Sequence, residues 1–498
     1  MLQAIPRDGR IDGMRAFPRD LLERFGRRLW PGRLVKQALK EWPMTERMTQ
    51  TFHFLDAAAP SPGSTPGSGP PLPAIRLDEG ETGEDRIVKA LAGLAATGGT
   101  LHLPPGRVEL RHEIPLPSGV TLAGVGSRTE LVFRGVRFGF VISGSPGSPA
   151  AGIEIRDLSL SLHEAVGAFP AAVLVTRARN LQFSDLDLTA PAGEGFLLAD
   201  DVRGLRLDRC RIRNASGNGL LMVRTVSDVT LSACTVEHSA GSGLLLADWR
   251  LVPNADSLDF GSQAGDSPVA FTASDPGPCR ISLVGCAVRG NRKMGICTDG
   301  GGLIRVSGCE IADNECEGIT LDNGTWGCLV EGSRIRSNGR RAAQSEHELH
   351  EDFVHGDGRL PDGSSQVKLP GVSLDNSAFC SILNCLIEGN YGEGVKFVRA
   401  GHGCTVARNT IAWNNRGYSK GHPHFGVRLG ADPRQHPGQF DFPANAIRVE
   451  DNVIIGGHTA GILLNEGAVF NVVRGNRISG AVEADIVNRS RGSNLIET

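Results

Sequence analysis

The chain is 498 residues long, with a net charge of −3, 5% aromatic residues and 65 glycines. That charge excludes a field of one sign directed at nucleic acid or an anionic membrane. No apolar run approaches the roughly 20 residues that span a bilayer.

Residues 1–56 read as a small helical, basic amphipathic extension. Leu21, Leu22, Phe25, Leu29, Leu34, Val35, Leu39 and Trp42 fall at helix-like intervals, with Pro31-Gly32 interrupting them. Arg24, Arg27, Arg28, Arg33, Lys36 and Lys40 make the segment basic, which suits a solvated helical hairpin or a membrane or partner surface. The N-terminus lacks the apolar stretch of a secretory signal, so the chain as written carries no evident export route and the default expectation is the cytoplasm. Residues 57–73, AAAPSPGSTPGSGPPLP, are a linker without core-forming composition.

The next region opens with a helix over Glu84–Ala96, its face formed by Ile87, Leu91 and Leu94. Gly98-Gly99 stops it, and a strand over Leu101–Leu103 ends at Pro104-Pro105-Gly106. A repeat then emerges. Leu205, Leu207, Cys210, Ile212, Gly217 and Gly219 recur 24 positions later as Val229, Leu231, Cys234, Val236, Gly241 and Gly243. The Cys210 column continues through Cys286, Cys309, Ser333, Cys385, Asn409, Asn452 and Asn476. A period of this length, built from short alternating β-runs, predicts an all-β solenoid of stacked coils. The cysteines of the column are expected to stack as reduced, small apolar side chains. Asn291, Asn314, Asn338, Asn390 and Asn414 each fall five residues after a column position and predict a hydrogen-bonded turn ladder. Insertions interrupt the coils at about 247–278, 339–370, 415–424 and 431–445.

The helix followed by GGTLHLPPG at Gly98–Gly106 resembles the opening of pectate-lyase-like right-handed parallel β-helix proteins, and the resemblance extends over about residues 75–485. It implies a right-handed parallel β-helix, here over residues 74–490, with an N-terminal capping helix. It also implies action on polysaccharide and an extracellular or periplasmic setting.

Most coils carry a Gly followed by an apolar residue: Gly219, Gly243, Gly295, Gly318, Gly371, Gly394, Gly426 and Gly461. Alternation along a strand predicts that residues one and three after the Gly point inward, and residues two and four face solvent. The second position reads Leu221, Leu245, Cys297, Thr320, Ser373, Lys396, Arg428, Leu463; the fourth reads Val223, Ala247, Asp299, Asp322, Asp375, Val398, Gly430, Asn465. Three carboxylates about 5 Å apart on successive coils repel one another unless a proton, a cation or solvent intervenes. Asp322-Asn323-Gly324 and Asp375-Asn376-Ser377 also look like turn starts, so a turn ladder is the competing expectation.

The enzyme reading takes Lys396, Arg428, Asp322 and Asp375 as catalytic. Asp299, Thr320, Ser373, Arg399 and His424 would bind substrate, and Ca²⁺ would bridge Asp299, Asp322 and Asp375. By resemblance, an acidic calcium site with a nearby Lys or Arg abstracts the C5 proton of a uronate, leading to β-elimination or epimerisation. Asn-Thr-Asp, Arg-Ile-Lys and Asp-Pro-His-Asp/Glu signatures are absent, and only Gly401-His402-Gly403 occurs. A glycoside hydrolase pairing two aspartates and a noncatalytic glycan-binding or assembly solenoid are the alternatives. The run EHELHEDFVH, with His347, His350 and His355, reads as a polar lid or a metal-binding helix face.

Overall fold

The computed structural model describes residues 73–77, 83–145, 147–247, 277–340, 369–398, 401–416, 425–430, 444–456 and 458–497. The chain divides into two units, Met1–Ser64 and Thr65–Thr498, and every described residue belongs to the second. The expected extension over residues 1–56, most of the linker and the run holding His347, His350 and His355 lie outside the described residues.

The second unit is a parallel β-helix. Its coils each supply one strand to three sheets. Sheet I runs through Leu220–Val223, Leu244–Ala247, Ile296–Asp299, Ile319–Asp322, Val372–Leu374, Val395–Phe397, Phe425–Leu429 and Ala460–Leu464, all paired in parallel. Sheet II includes Val226–Ser232, Cys279–Val284, Gly302–Ser307, Leu329–Glu331 and Ser381–Leu383. Sheet III includes Arg211–Arg213, Thr235–Glu237, Ala287–Arg289, Glu310–Ala312 and Arg334–Arg336. The inward rows form one continuous core, with Leu220, Ile296 and Val372 from sheet I meeting Leu231 and Leu283 from sheet II and Val236 and Ile311 from sheet III.

The corner between sheets II and III explains the repeat's punctuation. One residue per coil is left-handed there: Arg209, Ala233, Gly285, Gly308, Gly332, Asn384, Arg408, Asp451 and Gly475 have φ between 50° and 63°. Side chains other than Gly pay about 1–2 kcal/mol for that conformation, so Gly, Asn or Asp fills six of these nine positions.

Helix α1 spans Glu84–Leu94, two residues shorter than its sequence pattern, and buries Ile87, Ala90, Leu91 and Leu94 in the same core. It packs against the strands Gly99–His102 and Gly106–Leu110. Gly99 is required between them, because a Cβ there would lie 2.2 Å from the Pro73 carbonyl oxygen.

Two side-chain columns run along the solenoid. In the first, Cys210, Cys234, Cys286, Cys309 and Cys385 are buried free thiols. Each points at backbone carbonyls, for example Cys234 Sγ to Leu207 O at 3.4 Å and Cys286 Sγ to Leu231 O at 3.4 Å. Further along, the column becomes an amide stack in which Asn409 Nδ2 donates to Asn452 Oδ1 at 3.0 Å and Asn452 Nδ2 to Asn476 Oδ1 at 2.9 Å. The second column is the turn ladder, where Asn291, Asn314, Asn338, Asn390 and Asn414 are linked head to tail by amide bonds of 2.8–3.0 Å.

Insertions do not disturb this register. Residues 341–368 separate two described segments, yet Ile319 still pairs with Val372 and Asn338 still bonds Asn390.

Candidate functional site

The outer faces of the three sheets differ in chemistry. Sheets II and III carry ion pairs between coils at partly exposed positions, such as Arg305 with Glu331 and Arg336 with Glu310 at 2.8 Å. Sheet I does not follow that pattern. Its second and fourth positions lie opposite the core as alternation requires, but most are buried and Leu245 and Asp299 are half-buried, none of them fully solvent-facing. Leu221, Val223 and Ala247 join Phe138, Leu174 and Leu197 in a separate apolar cluster. Phe425, Ala460 and Leu463 form another further along. Alternation fixes which side a residue is on, but not what covers that side.

Between these apolar clusters lies a polar interval. The register places Cys297, Thr320, Ser373, Lys396 and Arg428 in one row across successive coils. Asp299 and Asp322 pair directly in the next row, and Asp375 follows Leu374 one coil on, its backbone N–H donating to Leu321 O at 2.8 Å. Thr320, Asp322, Ser373, Asp375, Lys396 and Arg428 are all buried, and Asp299 is half-buried. Arg399 and His424 lie outside the described residues.

The aspartates are also engaged in turns. Asp322 Oδ1 accepts from the Asn323 backbone N–H at 2.6 Å, while Asn323 Nδ2 donates to Asp299 Oδ1 at 2.6 Å. An Asn amide thus faces Asp299 where a shared cation would require converging oxygens. Among the described residues no group of three His, Cys, Asp or Glu side chains could hold a metal ion. The calcium bridge expected at Asp299, Asp322 and Asp375 thus has no three-ligand cluster behind it among the described residues.

A further set of acids was not singled out from the sequence. Glu194, Glu317 and Glu393 each stand immediately before a glycine at a sheet I strand, and all three are buried. The recurring Glu-Gly pair was the available signal. Glu393 Oε1 lies 3.4 Å from Arg428 Nη1, joining the acid row to the cation row. The Cys297 thiol is raised well above its ordinary value by burial first, then by the charges of Asp299, Asp322 and Glu317. The polar interval thus holds five carboxyl groups (Asp299, Asp322, Asp375, Glu317 and Glu393) against Lys396 and Arg428.

Glu194, further up the same row, has a different role. Burial pushes its carboxyl up to about 7, against the lowering effect of the Asn218 backbone N–H and of Lys293. Between the ordinary value of 4.5 and about 7 the folded chain holds a proton that the unfolded chain has lost, so stability falls as pH rises through that window. Glu194→Gln is expected to add about 2–3 kcal/mol at pH 8 and nothing at pH 4. Urea denaturation across that pH range checks it.

Comparison with known proteins agrees with the coil architecture. A family profile described as "Right handed beta helix region" matches residues 261–411. No sequence among curated proteins matches the chain. Among solved structures, the catalytic domain of a GH87 alpha-1,3-glucanase in complex with tetrasaccharides is similar with a TM-score of 0.56 and 15% identity, over 84% of this chain and 71% of that one. The catalytic unit of a thermostable GH87 alpha-1,3-glucanase from Streptomyces thermodiastaticus strain HF3-3 gives 0.51 and 15%, over 82% and 65%. The A-module of Azotobacter vinelandii mannuronan C-5 epimerase AlgE4 gives 0.48 and 16%, over 83% and 95%. At such identities the likeness establishes the fold.

Proposed function

We propose that this right-handed parallel β-helix protein acts on a polysaccharide laid along sheet I, and that its chemistry is glycosidic-bond hydrolysis. The observation that carries this reading is the polar interval itself. Seven ionisable side chains cluster on an outer face whose flanking stretches are apolar and buried, and burying charged groups is a costly way to stabilise a solenoid. The fold neighbours with the higher TM-scores are named as glucanases, which supports glycan cleavage. The sequence also carries insertions next to strands of this sheet, at about 247–278, 339–370, 415–424 and 431–445. Binding residues concentrate in such excursions from a rigid scaffold.

Asp322 and Asp375 are the acid and its partner in this reading. Side chains on adjacent coils start from strands about 4.8 Å apart, close to the roughly 5 Å carboxyl separation of a retaining glycosidase. One carboxyl gives a proton to the glycosidic oxygen as the C–O bond breaks, and the other, ionised, bonds to the anomeric carbon until water displaces it. Asp299 with Asp375, two coils apart, is the pair for the longer, inverting separation.

Lys396 favours a second reading. It lies in register with Arg428 and Ser373, where a deprotonated amine could take the C5 proton of a uronate and begin β-elimination. Purified protein offered neutral glucans, pectate, alginate and glycosaminoglycans, with and without Ca²⁺ or chelator, separates the two. New reducing ends without ultraviolet absorbance support hydrolysis, whereas absorbance from unsaturated uronates supports elimination. No product from any glycan overturns both and leaves a noncatalytic solenoid.

A further inference from the structure

We propose that Glu393 and Thr320 form a hydroxyl-binding subsite that selects an uncharged glycan over a uronate-containing one. The inference rests on the glycan-acting reading and names its substrate class.

Glu393 and Thr320 are each only 1% exposed. Glu393 Oε2 and Thr320 Oγ1 have no hydrogen-bond partner among the described residues. The other carboxylate oxygen, Oε1, meets Arg428 Nη1 at 3.4 Å, well beyond the 2.7–2.9 Å of a strong charge-assisted bond. Leaving a buried carboxyl oxygen with no partner is costly. The group that would relieve it is a donor, and an O–H is the donor a sugar presents.

Position supports the same occupant. Glu393 adjoins the strand bearing Lys396, and Thr320 lies on the Asp322 strand two coils earlier, about 10 Å away along the solenoid. That separation is about two sugar rings, with Asp375 on the coil between. Thr320 Oγ1 can either donate or accept, so it can meet any ring hydroxyl. A uronate carboxylate would instead face Glu393, Asp375 and Asp322, while the guanidinium of Arg428 is already engaged by Glu393. Like charges at this range disfavour the acidic sugar.

The test is calorimetric binding to the full chain, kept separate from turnover. The probes are α-1,3-, β-1,3- and β-1,4-linked gluco-oligosaccharides, with oligogalacturonate and oligomannuronate as the acidic set. The expected result is that at least one neutral probe binds more tightly than both acidic ones. Glu393→Gln should weaken that neutral binding about tenfold or more, the loss of one bond to a charged acceptor, and narrow the gap to the uronates. A monodeoxy series of the bound oligosaccharide should contain one member that loses the same factor with the unchanged protein and nothing further with Glu393→Gln. A merely structural Glu393 would not produce that pattern. Preference for oligogalacturonate or oligomannuronate, binding of no probe, or unchanged neutral binding in a folded Glu393→Gln chain overturns the subsite. Should Glu393→Gln not fold, the neutral-over-acidic preference of the unchanged protein and the effect of Thr320→Val decide it. Neutral binding without cleavage would keep the subsite while removing hydrolysis, and uronate binding with cleavage would do the reverse.

Discussion

Asp375→Asn is expected to lower turnover on the cleaved glycan by roughly 10³-fold, within the 10²–10⁴-fold range typical of an acid–base residue, while the thermal midpoint stays nearly unchanged. Asp375 is fully buried on the outer face of sheet I and sits one coil from Asp322. Asn keeps the size and the acceptor oxygen that a turn needs, but it can neither donate an acidic proton nor carry the negative charge that bonds to the anomeric carbon. Asp322→Asn should give a comparable loss, since its Oδ1 contact to the Asn323 N–H survives in the amide. If these aspartates are only turn formers, both variants will turn over substrate normally. Kinetics with the glycan identified by product analysis, alongside circular dichroism of each variant, distinguishes the cases.

Asn338→Ala, in the middle of the turn ladder, is expected to destabilise the chain by about 3–5 kcal/mol. Asn338 Oδ1 accepts from the backbone N–H and the side-chain Nδ2 of Asn314, at 3.1 and 2.9 Å. Its own Nδ2 donates to Ile311 O and Asn390 Oδ1, both at 3.0 Å. Alanine therefore leaves a fully buried backbone N–H and a carbonyl without these partners, in a core with no room for bulk water. Asn291→Ala, at the start of the ladder, should cost less, because its Oδ1 serves only the Ser239 N–H. Coils in a solenoid interact mainly with their neighbours, so the loss need not spread through the whole chain. Hydrogen exchange should show it first in the strands of sheet III on either side, Glu310–Ala312, Arg334–Arg336 and Leu386–Glu388.

How far the sequence reached follows from what each pattern encodes. The row Cys297, Thr320, Ser373, Lys396, Arg428 was legible because each member stands two residues after a glycine, and strand register keeps that offset across coils. The thiol and amide columns were legible for the same reason. Burial of the outer face was not, because alternation along a strand gives the side a residue is on and says nothing of what packs over it. Glu393 escaped notice because it precedes its strand, where alternation gives no side-chain direction. Asn323 was read as a turn residue, and its second role, occupying Asp299, required the fold of the adjacent coil.

Gly339 and Leu369, thirty residues apart in sequence, are held side by side by the coils. A Cβ on Gly339 would fall 2.0 Å from the Leu369 carbonyl oxygen, so the two ends of the excursion touch. Each is tethered to the scaffold independently, Gly339 N–H to Cys316 O at 2.7 Å and Leu369 O to the Gly392 N–H at 2.8 Å. A segment inserted between two such anchored positions starts with its ends already together, and doubling the length of such a segment adds only about 0.6 kcal/mol of closure entropy. The solenoid can thus serve as a chassis, accepting a replacement segment, or a whole folded module with adjacent termini, while every coil on either side keeps its place.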